Sequence, residues 1–271
     1  MGSHRELGFV GFPPPLLGEI PVRLPILAES KALLALPKPS GVAVREHPWN
    51  HGVHNMDAAL NLQLENGKPE LVKLGAELFG SIFYLEPEVT GVVIFAKSRM
   101  SLEFLRNSLG SQRMTFRYLL VARSEDASTP ASEVVDTPLL KHRTKYKVIP
   151  STAKGKRTRT EFRLLKRSKF GWSLFEAITN YPRVHQIRAH AALCGRPVLG
   201  DALYGQAHER SFQEILPKRQ GRRPLFEGIA LHLASVQSED LNCSVEDGRI
   251  SAPLARRFKV LLGRLEIDFE G

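Results

Sequence analysis

Ile82-Phe83-Tyr84-Leu85-Glu86-Pro87-Glu88-Val89-Thr90-Gly91-Val92-Val93-Ile94-Phe95-Ala96-Lys97 is the stretch on which the fold turns. Its second half, Val92 to Ala96, is an apolar, β-branched run and predicts a buried strand. Its first half holds Glu86 between Leu85 and Pro87, just ahead of Thr90-Gly91. Pro87 cannot donate to a ladder and Gly91 tolerates unusual dihedrals, so an irregular loop should feed the strand. An acid on a loop held by a buried strand is a common place for chemistry. The same residues also fit a solvated loop glutamate.

Outward from this point the chain alternates short strands and helices. Upstream, Ile26 to Leu36 predicts two strands around the polar turn Glu29-Ser30-Lys31, followed by the turn Pro37-Lys38-Pro39-Ser40-Gly41. Met56 to Leu64 spaces its apolar residues as a helix does. Downstream, Ser101 to Leu109 predicts a helix with Ser101 as its cap and Leu102, Leu105 and Leu109 on one face. Met114 to Ala122 is an aromatic and β-branched strand containing Arg117 and Tyr118. Thr160 to Leu165 alternates as a strand does, and Trp172 to Ile178 is another strand. Val184 to Leu193 predicts a helix closed by Gly195, after which Pro197 starts a brief strand and Gly200-Asp201 form a turn. Leu231 to Val236 and Ile250 to Leu254 are closing strands, and Phe258, Leu261 and Leu262 mark a last helix. Residues 1–21, with Pro13-Pro14-Pro15 and scattered glycines, predict an extended arm without its own core. Residues 206–224 are polar and basic and predict a loop or frayed helix.

Composition narrows the partners. The chain has 271 residues, enough for one large core, and a net charge of +10. Such an excess favours a polyanion, with nucleic acid ahead of an acidic membrane surface. The charge is concentrated: twelve lysines and arginines between residues 141 and 169, among them Lys154, Lys156, Arg157 and Arg159, face one acid, Glu161. That density repels itself unless an anion such as phosphate neutralises it, although a solvated charged face carries the same pattern. Two cysteines, Cys194 and Cys243, lack metal-ligand spacing and fit a reducing cytoplasm. No apolar run reaches the roughly 20 residues of a membrane span, and no charged-then-apolar signal pattern opens the chain. His185 and His190 are five apart, which suits neither one helix face nor a zinc pair, so no metal is expected.

Two landmarks resemble one family. Arg183-Val184-His185-Gln186-Ile187-Arg188-Ala189-His190, followed by Gly195-Arg196-Pro197-Val198-Leu199-Gly200-Asp201-Ala202-Leu203-Tyr204-Gly205, is similar to the pattern Gly-Arg-x-His-Gln-[Ile/Leu]-Arg-x-His…Gly-x-Pro-[Ile/Val]-x-Gly-Asp-x-x-Tyr-Gly of RluA-type pseudouridine synthases. Only Pro182, in place of the leading Gly, departs. The opening stretch resembles that family's His-Arg-Leu-Asp-x-x-Thr-Ser-Gly motif and its following apolar strand, with Leu85, Gly91 and the strand matching. Thr90 stands for Ser, Phe83 for His, Tyr84 for Arg and Glu86 for the catalytic Asp. Lys38, Pro39 and Gly41 match an Asn-Lys-Pro-x-Gly turn. Arg117-Tyr118 match a Lys-x-Tyr strand, with Tyr118 32 residues after Glu86.

The resemblance implies an α+β domain over residues 22–265, without the small S4-type RNA-binding domain some relatives carry. Its mixed, mainly antiparallel sheet would have flanking helices and a basic cleft. It implies an enzyme that isomerises uridine to pseudouridine in structured RNA, rRNA or tRNA, with neither cofactor nor metal; a monomer is expected, although the sequence itself does not fix the oligomeric state. Residue by residue, it places the essential carboxylate at Glu86, its basic partner at Arg188, and the base-stacking tyrosine at Tyr118. Tyr84 stands where the family's base-flipping Arg stands, and Lys38, Arg117, Arg183, His185 and Gln186 join the basic segment as RNA-contacting candidates. The one-methylene-longer stem of Glu86 displaces its carboxylate by roughly an ångström, enough to cost about a hundredfold in rate. Two main readings follow: a working synthase using glutamate, or a degenerate member that binds RNA without turnover. A general RNA chaperone is a third.

Overall fold

The computed structural model describes residues 8–47, 49, 53–124, 129–205, 226–241 and 245–269. The expected basic loop at 206–224, Cys243 and Met1 to Leu7 lie outside the described residues. Two compact units emerge: residues 1–116 with 234–253, and residues 117–233 with 254–271.

In the first unit, β1 (Phe9–Phe12) pairs antiparallel with β2 (Val22–Pro25). Val10 and Phe12 are buried, so the described part of the expected arm is a hairpin strand with apolar contacts, because its alternate residues face inward. β3 (Ala28–Glu29) and β4 (Leu33–Lys38) follow around the predicted turn, closed by the Ser30 amide on the Leu33 carbonyl at 3.0 Å. β4 runs antiparallel to β6 (Thr90–Ala96), and β5 (Gly80–Ser81) pairs with β6 from the other edge. β6 is buried from Gly91 to Ala96, as its unbroken apolar run requires for a strand covered on both faces. Helices α1 (Met56–Glu65) and α2 (Pro69–Val72) precede β5, and α3 (Arg99–Gly110) follows β6.

The cap of helix α3 lies three residues earlier than expected, and the helix begins at Arg99. Ser98, extended at φ −150°, caps it, and Ser101 returns the favour as the reciprocal member of a capping box. Leu105 and Leu109 are buried as expected, while Leu102 is half-buried.

The chain enters the second unit within β7 (Thr115–Arg123). There β8 (Ser132–Val135), β11 (Thr160–Arg167) and β12 (Trp172–Thr179) form an antiparallel set, and β12 neighbours β7. A separate hairpin joins β9 (Leu139–Lys141) to β10 (Val148–Pro150). Helix α4 (Gln186–Leu193) starts two residues later than its pattern suggests, because His185 adopts a left-handed conformation at φ 59°. The strand expected at Pro197 reduces to one bridge, Ala122 to Val198, since the chain turns at once through Leu199-Gly200. The predicted closing elements are β13 (Leu231–Gln237), β14 (Arg249–Ser251) and α5 (Arg256–Arg264). The protein is thus α+β with a mainly antiparallel sheet. Among the described residues no helix is long and apolar enough to cross a membrane.

Candidate active site

The candidate residues fall into two groups, one in each unit. In the first unit, Glu86 lies on the irregular loop that feeds β6 and is 7% exposed, not the solvated glutamate its loop position also allowed. The loop is pinned to the turn after β4. Lys38 Nζ donates to the carbonyls of Pro39, Val42 and Pro87 at 2.8, 2.9 and 2.8 Å. The Gly41 amide donates to the Pro87 carbonyl at 2.7 Å, a reach that Gly41 makes in the left-handed region at φ +85°. Ser40 Oγ donates to the Glu88 carbonyl at 3.2 Å, and the Val89 amide closes the turn on the Glu86 carbonyl at 3.0 Å.

Lys38 was expected to meet RNA; it is 2% exposed and acts on the acid loop instead. Burial lowers its pKa to about 7, opposed by the nearby negative charges of Glu86 and Glu88. Its three acceptors match the three protons of an ammonium. Behind the loop, Asp57 of α1 accepts from the Ser81 amide and hydroxyl, both at 2.9 Å. Burial raises the Asp57 pKa against those hydrogen bonds. Tyr84 is half-buried, with the Arg45 guanidinium 6.0 Å from its ring centroid, and Phe83 packs edge-on to Phe116 at 5.0 Å.

In the second unit, Tyr118 is buried on β7. Arg188 projects from α4 and is gripped by Asp201: Nε to Oδ2 at 2.7 Å and Nη2 to Oδ1 at 2.8 Å, a bidentate pair with side chains 3% and 0% exposed. Asp201 also accepts from the amides of Leu203 and Tyr204 at 3.0 and 3.3 Å. The Tyr204 ring lies 5.4 Å from the Arg188 guanidinium carbon. Its hydroxyl accepts from the Val148 amide at 2.7 Å and lies 3.0 Å from His185 Nδ1. Asp201 and Tyr204 belong to the same sequence motif as Arg188, and the resemblance assigns them no role. A buried arginine on a helix demands a carboxylate, and the acid in the following turn was the available signal.

Several expected RNA contacts turn inward. Gln186 Nε2 donates among Arg159 O, Thr160 Oγ1 and Thr179 Oγ1 at 3.0, 3.0 and 3.1 Å, while its Oε1 accepts from the Arg183 amide at 3.0 Å. His185 is wholly buried, edge-on to Tyr146 and Tyr204. Arg117 pairs with Glu176 at 3.1 Å, a carboxylate that Arg163 also approaches at 3.8 Å. Gln186 and His185 brace the start of α4 against its neighbours, because buried polar groups must be hydrogen-bonded, and Arg117 links β7 to β12. Arg183 is half-buried over the Tyr181 ring at 4.8 Å. Lys154, Lys156, Arg157 and Arg159 are exposed, as expected. His190 shares hydrogen bonds with Thr160, Thr158 and the Thr137 carbonyl, and burial lowers its pKa. Burial pushes the Cys194 thiol up to about 11, which keeps it unreactive at neutral pH.

An acid on a clamped loop before β6, and an arginine held in a His-Gln-Ile-Arg helix, carry the two motifs that the sequence resembles. A sequence model of the RNA pseudouridylate synthase family matches residues 32–193. The chain belongs to the RNA pseudouridylate synthase family. Similar relatives carry the name ribosomal large subunit pseudouridine synthase C. The one from Pasteurella multocida is 30% identical over 242 residues, covering 89% of this chain and 67% of the relative. The one from Yersinia pestis is 31% identical over 236 residues, covering 86% and 67%, and the one from Escherichia coli 30% over 243, covering 89% and 69%. Among solved structures, human RNA Pseudouridylate Synthase Domain Containing 4 superposes with a TM-score of 0.69 at 20% identity, over 91% of this chain and 94% of that one. Human RNA Pseudouridylate Synthase Domain Containing 1 gives 0.57 at 18% identity, over 91% and 97%. At those identities the structural likeness concerns the fold.

Proposed function

We propose that this chain isomerises uridine to pseudouridine in RNA, with ribosomal RNA, in the cytoplasm, as its substrate. The N1–C1′ glycosidic bond breaks, the uracil turns, a C5–C1′ bond forms, and the proton leaves C5 while N1 regains one. Glu86 is the carboxylate that acts on the target nucleotide, as nucleophile or as base toward the sugar. The resemblance assigns the basic role in this reaction to Arg188 and the base-stacking role to Tyr118. Tyr84 takes the place of the side chain that fills the gap left by the extruded nucleotide.

The observation that carries this reading is the burial of Glu86 on a loop fixed by three Lys38 hydrogen bonds. A carboxylate with no task rarely gives up solvent in this way. The relatives' names supply the substrate class.

The test is tritium release from large-subunit ribosomal RNA labelled at carbon 5 of uridine, taken from cells lacking this protein. Wild type, Glu86→Gln and Glu86→Asp are compared. Release by wild type and its loss in Glu86→Gln supports the reading. Wild-type silence under conditions where the RNA is bound overturns it and leaves an RNA-binding protein.

A further inference from the structure

The hairpin β9–β10 and the turn that follows it carry a structure their charge alone does not require. Strand β9 is paired on both sides. β10 lies against one edge, with Lys141 opposite Val148 and Leu140 opposite Ile149. On the other, Leu139 and Lys156 exchange both backbone hydrogen bonds at 2.9 and 3.0 Å. The hairpin tip is closed by its own bonds: His142 N to Lys147 O at 2.9 Å, and the amides of Thr144 and Lys145 onto His142 Nδ1 at 3.2 and 3.1 Å.

The return turn is as tight. The Gly155 amide bonds Ser151 O at 2.9 Å, and a Cβ at Gly155 would sit 2.2 Å from that oxygen and 2.8 Å from the Pro138 carbonyl carbon. Only glycine fits there. Leu139 and Val148 form a small apolar underside with Ala189 of α4, and Tyr204 packs against it. The Val148 amide bond to the Tyr204 hydroxyl fixes the hairpin to the segment that holds Arg188.

The outer face of this platform is cationic. Arg143, Lys145, Lys154, Lys156 and Arg157 are exposed and Lys147 is half-buried. None of the six forms an ion pair among the described residues. Several exposed or half-buried bases elsewhere in the same unit do find carboxylates: Arg117 and Arg163 at Glu176, Arg196 at Glu133, Lys169 at Glu266. Tyr146, an aromatic at the hairpin, is half-buried and edge-on to His185 at 4.6 Å, so it is engaged with the fold rather than fully exposed for stacking. Single-strand binders combine such charge with exposed stacking aromatics, whereas duplex RNA is held through phosphates and shape.

We propose that this basic platform is the phosphate-binding surface for a duplex stem of the RNA substrate. The proposal rests on the reading that the chain acts on RNA, and its test is binding, which is read without turnover. A labelled RNA stem-loop and a single strand of equal length are titrated by fluorescence anisotropy over a series of KCl concentrations. The protein is wild type, the triple variant Lys154→Ala/Lys156→Ala/Arg157→Ala, or the control triple Arg256→Ala/Arg257→Ala/Lys259→Ala, which removes the same charge from α5.

Losing three phosphate contacts lowers the slope of log K against log salt by about 2–3 and the affinity at about 0.1 M salt by on the order of a hundredfold. The platform variant should show both, the α5 variant neither, and the stem-loop should bind more tightly than the single strand. Equal slopes in the two triple variants would overturn the proposal, as would a single strand bound as tightly as the stem-loop. If wild type binds with this salt dependence yet releases no tritium, the isomerase reading fails and the surface stands. If wild type turns over and the platform variant keeps its slope, the surface fails and the isomerase reading stands.

Discussion

Replacing Asp201 by asparagine takes from the buried Arg188 guanidinium the carboxylate that grips it through two nitrogens. The pair is bidentate at 2.7 and 2.8 Å, with both side chains at 3% exposure or less. Two unit charges about 4 Å apart attract by about 4 kcal/mol at an effective dielectric near 20. Removing one partner of such a pair costs about 3–5 kcal/mol, because the survivor keeps its desolvation penalty. Asparagine retains one oxygen for the Leu203 and Tyr204 amides, which places Asp201→Asn at the lower end, about 3 kcal/mol. At about 2–4 °C per kcal/mol for a chain of this size, the melting temperature should fall by about 6–12 °C. Calorimetry and urea midpoints would measure it. The double variant Arg188→Met/Asp201→Leu separates a buried ion pair from mere packing. It removes both charges together and should be more stable than Asp201→Asn, though inactive. A loss below about 1 kcal/mol in Asp201→Asn, or a double variant less stable than the single, would refute the reasoning.

The remaining predictions concern the two tight turns and the buried lysine. Lys38 is depressed from 10.5 to about 7, so between those pH values the unfolded chain binds the extra proton. Stability contributed by this group is therefore full above about pH 10.5 and is lost as pH falls through 7. Relative to Lys38→Met, wild-type stability should rise over that window by up to about 1.4 kcal/mol per pH unit; parallel urea midpoints across it would sink the assignment. Gly41→Ala should cost about 1–2 kcal/mol from its left-handed φ alone, since nothing lies within 4 Å of the added Cβ. Gly155→Ala should instead move backbone, cost about 1–3 kcal/mol, and weaken stem-loop binding in the titration above; unchanged binding would show that the turn does not shape the platform.

The elements legible in the sequence are those whose burial follows one period. β6, β7 and β12 are runs the core covers, and α1 and α5 carry helical spacing. What the sequence did not reveal are partners chosen by tertiary contact. Ser98 and Ser101 make a reciprocal box, and only the extended backbone at Ser98 decides which is the cap. Gln186, His185 and Lys38 are polar, and local pattern sends polar residues outward; each is buried because carbonyls, hydroxyls or aromatic edges from distant segments meet it. Counting charges along the chain made residues 141–169 uniformly cationic. Across the β11–β12 ladder, however, Arg163 stands directly opposite Glu176, and Arg117 reaches the same carboxylate. Part of the charge on β11 is thereby neutralised, while the bases of the hairpin and its return turn keep theirs, a difference no linear reading contains.

The same clamp that buries Glu86 decides what its length means. Lys38 and Gly41 together place two hydrogen bonds on the Pro87 carbonyl, the peptide next to the acid. A loop held this way cannot slide to compensate for a shorter or longer stem, so the side chain alone sets where the carboxylate sits. Glu86→Asp draws it back by roughly an ångström, and a misplacement of that size costs about a hundredfold in rate. If the site is built around glutamate, tritium release should fall by about that factor in Glu86→Asp while stem-loop affinity stays unchanged. A faster Glu86→Asp enzyme would mean that the loop is set for the shorter acid. Equal rates would mean that the loop yields despite its clamp, and the rigidity argued from Lys38 would be wrong.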